Sequence, residues 1–134
     1  MAVNRGEVYW DHFKDATGRD RKVPLLVMSE NSYNKDAMFV TGVRLVQYDN
    51  RPCPQHVHIP SSAFTKTMVI GDCVALCETL SSIRQTSLSG PIAEITDEYM
   101  AVVENGVKMQ LGMGHRTTEG QNEFHIYRGE KKEG

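Results

Sequence analysis

Four consecutive charged side chains precede an apolar segment near the N-terminus. The run consists of Arg19, Asp20, Arg21 and Lys22, and Pro24 and the apolar residues 25–28 follow it closely. Guanidinium and ammonium groups on a short segment can neutralise a phosphodiester and the charge that builds up on it during cleavage. Arg44, in a later apolar segment, adds another guanidinium. The pattern indicates either a solvated loop or a phosphate-binding site.

The cysteines and histidines do not form a metal-binding pattern. His56 and His58 share one face of a predicted strand, but two imidazoles make half a site at most. Cys73 and Cys77 are too far apart along a strand to chelate one ion. The sequence has neither a Gly-x-Ser-x-Gly elbow nor a phosphate-binding glycine motif. We therefore expect no metal and no cofactor.

Composition predicts one ordinary globular domain. The chain has 134 residues, of which 40% are hydrophobic and 24% charged, with a formal net charge of -2. Any nucleic-acid binding must therefore depend on a local basic patch. Three cysteines without a disulfide-framework spacing are typical of a reducing compartment. No apolar run approaches the roughly 18 residues of a membrane span, and the N-terminus lacks a secretory apolar segment. We expect a cytoplasmic protein without a membrane partner.

Short β-branched and aromatic segments predict a mainly β structure. Predicted strands cover residues 7–13, 25–28, 37–46, 56–60 and 73–83. Residues 15–22 are predicted to form a loop between the first two strands. Gly42, inside the third strand, indicates a bulge or a bend at a barrel corner.

A helix is predicted over Asp97 to Leu111. Thr96 suits the N-cap, two acidic residues follow it, and Gly112 provides a stop. Its buried stripe should contain Met100, Val103, Val107 and Leu111, although Gly106 weakens its middle. Strands followed by a packed helix predict a small β-barrel with a C-terminal helix over residues 1–112. The polar extension 113–134 is either disordered or adds one strand at 124–127.

Four stretches resemble the MazF/PemK family of toxins from toxin–antitoxin systems. They are RGEVYW at 5–10, PLLVMSENSYN at 24–34, VALCETLSSIRQTSL at 74–88 and IAEITDEYMAVVENGVKMQLG at 92–112. The resemblance implies an SH3-like β-barrel and a homodimer. It also implies metal-independent cleavage of single-stranded RNA, in which the 2′-hydroxyl attacks the adjacent phosphate. The implied protein partner is a cognate antitoxin that binds through an extended acidic segment.

The resemblance also suggests site residues. Val23 occupies the position of an arginine before the strand-opening proline, and Val43 occupies that of a threonine. On the later strand, Leu76 replaces an arginine, whereas Glu78 matches an aspartate. The candidate catalytic residues are Arg21 or Lys22 for phosphate stabilisation and Glu78 or Asp20 for proton transfer. The candidate RNA-binding residues are Arg19, Thr41, Arg44 and Ser81.

Two other functions fit the same sequence. The first is a catalytically silent homologue that binds RNA or protein, because several of the usual catalytic positions are altered. The second is a CcdB-type inhibitor of DNA gyrase. That activity depends on an aromatic residue after the helix near the C-terminus, and here a polar tail follows the helix. The toxin and RNA endonuclease interpretation is therefore the leading one.

Overall fold

A computed structural model describes residues 2–50, 53, 55–66 and 71–113. Its elements are β1 (Glu7–Lys14), β2 (Asp20–Val27), α1 (Asn31–Asn34), β3 (Phe39–Gln47), β4 (His56–Ile59), β5 (Cys73–Arg84), β6 (Leu88–Glu94) and α2 (Asp97–Gln110). The predicted extra strand at 124–127 lies outside the described residues. So does the predicted polar extension, apart from Met113. The mainly β fold with a C-terminal helix is confirmed.

The six strands form one sheet in the order β4-β5-β3-β2-β1-β6, and every pairing is antiparallel. The sheet is not closed by a continuous ladder. Within the described residues, its two ends meet at the bridge between Phe64 and Ile95. Backbone hydrogen bonds from Thr65 to Glu94 and from Thr96 to Ala63 flank that bridge. The architecture is thus a barrel-like sheet whose ends touch over a short segment.

Helix α2 begins at Asp97, as the sequence indicates, and ends at Gln110, one residue earlier than predicted. The Thr96 hydroxyl accepts a hydrogen bond from the Tyr99 amide, and Gly112 has a φ of +71°, a conformation that glycine adopts without strain. The helix buries Met100, Val103 and Val107 against the sheet. Leu111 was expected in this stripe, but it lies past the last helical residue and is 54% exposed, so that part of the prediction was wrong.

Side chains of the sheet alternate between two faces, each with its own core. The helix face carries Val8, Leu26 and Val43, which share a buried cluster with α2. The outer face carries a second cluster that contains no residue of α2. The members of the outer cluster are Val3, Tyr9, Leu25, Val27, Val40 and Leu88, with Ile83 packed against it.

The prediction for Gly42 is confirmed. The register between β3 and β5 shifts between Gly42 and Arg44, which is a β-bulge. A Cβ atom at Gly42 would lie 2.7 Å from the Leu26 carbonyl oxygen and 2.9 Å from Leu25 Cγ. Only glycine allows β2 and β3 to approach this closely.

The predicted loop over residues 15–22 was too long at its C-terminal end. Strand β2 begins at Asp20, so Arg21 and Lys22 already belong to the sheet and pair with Phe13 and His12. Charged residues are rare inside strands, which hid this extension from the sequence pattern. The consequence is that Arg21 and Lys22 point to opposite faces.

The close contact of α2 with β5 gives a test of this packing. A Cβ atom at Gly106 would lie 2.7 Å from Cys77 Sγ and 3.1 Å from Val57 Cγ2. We expect Gly106→Ala to lower the free energy of unfolding by on the order of 1 kcal/mol, because overpacking outweighs the gain in helix propensity. Urea unfolding monitored by circular dichroism measures the change.

Cys77→Ala provides the matched background for that experiment. With the Sγ atom removed, the cost of Gly106→Ala should largely disappear. If Gly106→Ala instead stabilises the wild-type background, α2 does not pack as closely on β5 as described.

Candidate functional site

The outer face holds two arginines and one aromatic residue on neighbouring strands. Arg21 on β2 lies opposite Phe13 on β1, and the guanidinium carbon of Arg44 on β3 lies 5.2 Å from the centre of the Phe13 ring. Val23, at the vacant arginine position, lies on the same face and is the cross-strand partner of Asp11. We call these five residues the outer-face site.

The two arginines differ in how they are held. Arg21 Nε donates to Asp15 Oδ2 at 2.8 Å, and hydrogen bonds from Thr17 and Arg21 lower the pKa of Asp15 to about 2. This carboxylate is therefore ionised and keeps Arg21 in place. Arg44 makes no ion pair within 4 Å to any residue in the described part of the chain. Its head group rests on Phe13 and remains available to an anion.

Asp11 is the unusual member of the outer-face site. Only 4% of this residue is exposed, and its direct cross-strand partners are Val23 on β2 and Leu88 on β6. Burial raises the pKa of Asp11, while the charges of Arg44 and His12 oppose that rise. Sequence reasoning missed this residue. The signal was present, because Asp11 shares the strand period of Tyr9 and Phe13, which makes it an acid on an apolar face.

Glu78 and Ser81 lie on the outer face of β5, beyond Arg44. Glu78 Oε2 is 2.9 Å from His56 Nε2, and Ser81 is the cross-strand partner of Gly42. Partial burial pushes the pKa of Glu78 upward, but the hydrogen bond from His56, a backbone hydrogen bond and the charge of His56 together hold that pKa below its usual value. Glu78 is therefore an ionised, partnered carboxylate.

The remaining predicted residues lie elsewhere. Lys22 is on the helix face, with Nζ 4.4 Å from the centre of the Trp10 ring. Asp20 is exposed at the start of β2 and forms an ion pair of 2.6 Å with Lys14. Arg19 lies in the preceding turn, where its backbone amide donates to Asp15. Arg21 and Lys22, adjacent in sequence, thus belong to two different surfaces.

Thr41 lines a groove between the sheet and α2. The groove has a volume of about 400 Å³ and is bordered by Arg5, Met28, Ser29, Thr41, Leu80, Glu104, Val107 and Lys108. An ion pair joins Arg5 to Glu104, and Arg5 also donates to the Met28 carbonyl oxygen. Val43, at the predicted threonine position, is fully buried on the helix face. Of Thr41, Val43 and Arg44, only Arg44 belongs to the outer-face site.

The described histidines and cysteines do not form a metal centre. His58 lies 3.5 Å from Asp72 and stacks on Tyr48, while Cys73 and Cys77 are buried free thiols. Burial raises the pKa of both thiols to about 12, so neither is ionised near neutral pH. No group of three or more potential ligands is arranged around a common point in the described ranges. No helix there is long and apolar enough to cross a bilayer.

The burial of Asp11 has a measurable effect on stability. A carboxyl whose pKa is raised in the folded state stabilises that state below its normal pKa of about 4 and loses this contribution as pH rises through the raised value. Asp11→Asn removes the titration, so we expect the variant to gain stability relative to wild type as pH increases from 4 to 8. Urea unfolding at several pH values measures the difference. Asp20→Asn, at an exposed position, is the control and should show no such gain. A constant difference between Asp11→Asn and wild type would contradict the burial of Asp11.

Solved structures share this fold. A MazE-MazF structure from Deinococcus radiodurans matches with 23% identity and a TM-score of 0.70, covering 85% of this chain and 100% of the other. An endoribonuclease in complex with its cognate antitoxin, from a mycobacterial species, matches with 22% identity and a TM-score of 0.68, covering 85% and 99%. The Mycobacterium tuberculosis toxin MazF-mt6 matches with 11% identity and a TM-score of 0.63, covering 81% and 99%. At these identities the likeness establishes the fold.

Family membership follows from a match over most of the sequence. A comparison with curated proteins gave no match. The family model described as the PemK-like, MazF-like toxin of type II toxin–antitoxin systems matches residues 4–111, which include every strand and α2. The chain belongs to the PemK-like, MazF-like toxin family.

Proposed function

We propose that this protein is a growth-inhibiting toxin that cleaves single-stranded RNA, and that the outer-face site performs the cleavage. Membership of the toxin family supports the biological role. The observation that supports the location is the position of two arginines on the face that carries Val23: Arg44 lies over the Phe13 ring, and Arg21 is the cross-strand partner of Phe13.

The proposed reaction is a transesterification within RNA. The 2′-oxygen forms a bond to the adjacent phosphorus, and the bond from phosphorus to the 5′-oxygen breaks. The products are a 2′,3′-cyclic phosphate and a 5′-hydroxyl. The protein must stabilise the negative charge on the phosphorane, accept a proton from the 2′-hydroxyl and supply one to the 5′-oxygen.

The charges of the outer-face site suit the phosphorane. A guanidinium forms paired hydrogen bonds with two oxygens of one phosphate, and Arg44 has no competing ion pair within 4 Å in the described ranges. Arg21 adds a second positive charge, and Phe13 offers a ring on which a base can stack. Because the net charge of the chain is -2, such a local cluster is needed for RNA binding.

The other predicted residues are given supporting roles. The proposal assigns contacts with the RNA backbone to Ser81 on the outer face and to Arg19 in the turn before β2. Glu78 is paired with His56, so the proposal gives it a structural role rather than proton transfer. Lys22, Asp20 and Thr41 lie on the helix face or at its edge, so the proposal gives them contacts outside the reacting phosphate.

The proposed reaction uses no metal ion or other cofactor. Its chemistry requires only proton transfer and electrostatic stabilisation, which protein side chains can supply. Cleavage in the presence of EDTA is the condition that tests this part of the proposal.

The proposed assembly is a homodimer that binds an acidic antitoxin. Solved structures with this fold include a MazF with MazE and an endoribonuclease with its antitoxin. On this chain, Tyr33, Met38 and Phe39 are exposed, and apolar side chains of this size favour a protein partner. An extended acidic segment would find complementary charge at Arg21 and Arg44.

Arg21 and Lys22 form a matched pair for testing the location. Both are cationic and adjacent in sequence, but they lie on opposite faces of β2. We expect Arg21→Ala to slow cleavage of a long single-stranded RNA in EDTA by about 10²- to 10³-fold, the typical cost of losing one transition-state donor. Lys22→Ala should change the rate by less than about fivefold, because it removes no donor from the phosphorane. The rates are followed as cyclic-phosphate ends.

If Lys22→Ala slows cleavage more than Arg21→Ala does, the reaction takes place on the helix face. If wild type binds RNA but produces no cyclic-phosphate ends, the catalytically silent alternative is correct.

The oligomeric state is a separate prediction. Light scattering at micromolar concentration should give a mass of twice 15.1 kDa. Tyr33→Ser together with Phe39→Ser should reduce that mass if the exposed apolar side chains form the interface, whereas Val102→Ser on α2 is the control. A wild-type mass of 15.1 kDa would contradict the dimer.

A further inference from the structure

Asp11 is a buried carboxyl without a close polar partner. It is 4% exposed and lies between Val23 and Leu88 on the neighbouring strands. Its side chain makes no hydrogen bond, and no ion pair within 4 Å, to any residue in the described ranges. An acid in such surroundings costs stability, because an ionised carboxylate loses its hydration and gains no compensating contact. Packing alone would favour an apolar residue at this position.

The position of Asp11 connects it to the proposed reaction. It is directly opposite Val23, and the charge of Arg44 acts on its carboxyl through space. A phosphate held by Arg44 above Phe13 would lie over the same part of the outer face. Proton transfer requires a carboxyl oxygen within about 2.6–3.2 Å of the accepting oxygen, directly or through one water.

We propose that Asp11 is a catalytic residue of the RNA cleavage, in which its carboxylic acid protonates the leaving 5′-oxygen while Arg44 binds the phosphate. This inference rests on the proposed function. As the bond from the 2′-oxygen to phosphorus forms, the 2′-hydroxyl proton passes to water. As the bond from phosphorus to the 5′-oxygen breaks, the proton of Asp11 moves to that oxygen. The Asp11 carboxylate then regains a proton from solvent, so the protein is unchanged.

Asp11 suits this role better than the acids that the sequence suggested. A general acid must hold a proton near the working pH, which burial favours for Asp11. Glu78 is held ionised by His56, and Asp20 is exposed and paired with Lys14. The outer-face site thus has one buried acid, whose pKa burial raises, on the same face as one arginine that is free of close ion pairs in the described ranges.

The proposal predicts a specific pH dependence. The charged groups that act on Asp11 are Arg44 from β3 and His12 from its own strand, while β2 and β6 present the apolar Val23 and Leu88. Arg21, further along β2, is ion-paired with Asp15 through Nε. Because the protonated form is the reactive one, the cleavage rate should fall as pH rises through the pKa of Asp11.

The experiment compares wild type, Asp11→Asn and Glu78→Gln in single-turnover cleavage between pH 5 and 9. A long RNA locates the cut, and a short oligonucleotide containing that site serves as substrate. RNA affinity is measured with the same oligonucleotide carrying 2′-deoxyribose at the cut, which cannot react. Thermal unfolding of each variant confirms that it is folded.

We expect Asp11→Asn to cleave about 10²- to 10⁴-fold more slowly than wild type. Its affinity for the unreactive oligonucleotide should change by less than about twofold, because an amide of the same shape replaces an acid that does not hold the phosphate. The decline in rate at high pH should be present in wild type and absent from the residual activity of Asp11→Asn. Glu78→Gln should keep the wild-type pH profile.

Each other outcome overturns the proposal. If wild type cleaves and Asp11→Asn cleaves equally fast, Asp11 is not catalytic, while the proposed function stands. If Asp11→Asn is slow but keeps the decline at high pH, Asp11 has only a structural role. If wild type cleaves no RNA, the proposed function and this inference fail together.

Discussion

The packing of α2 on one face of the sheet is the constraint on which the rest of the structure depends. Met100, Val103 and Val107 bury against the helix face, and Gly106 brings the helix within contact of Cys77. Within the described residues, a helix seated this closely on β5 leaves space beside itself only in the groove at its edge, which Thr41 lines. Polar chemistry must then take place on the outer face or at the edge of the helix. The strand period decides which side chains are available there, because each residue of β2 and β3 belongs to one face only.

That constraint explains why the charged run near the N-terminus does not act as one unit. Arg21 and Lys22 are neighbours in sequence, yet one approaches Phe13 on the outer face and the other Trp10 on the helix face. It also explains why Val43 leaves no vacant site, since it is a core residue beneath α2. On the outer face, Arg44 is the cross-strand partner of Leu25, and its charge acts on Asp11. The outer face therefore carries its own set of charged residues, which includes Arg21, Arg44 and the buried Asp11.

Much of the fold could be predicted from local patterns. The helical spacing of Met100, Val103 and Val107, together with the N-cap residue Thr96, predicted α2. The apolar run at 25–28 predicted the buried half of β2. Gly42 marked the bulge in β3. The sequence pattern missed the charged half of β2. The neighbouring strands of the sheet hold this segment extended, and a local stretch of sequence does not reveal which strands will pair. The site was predicted less well, because which residues meet depends on the pairing of β1, β2 and β3. Asp11 in particular becomes notable only when both of its neighbouring strands are known.

Whether RNA binds across the outer face is best tested by NMR with an unreactive RNA analogue that carries 2′-deoxyribose at the cut. Backbone amide shifts of the assigned protein should change most at Phe13, Arg21 and Arg44, and the Asp11 carboxyl resonance should move with them. Residues of the groove, such as Thr41 and Lys108, should change little. Shifts concentrated around Lys22, Thr41 and Lys108, with the outer face unaffected, would contradict the account.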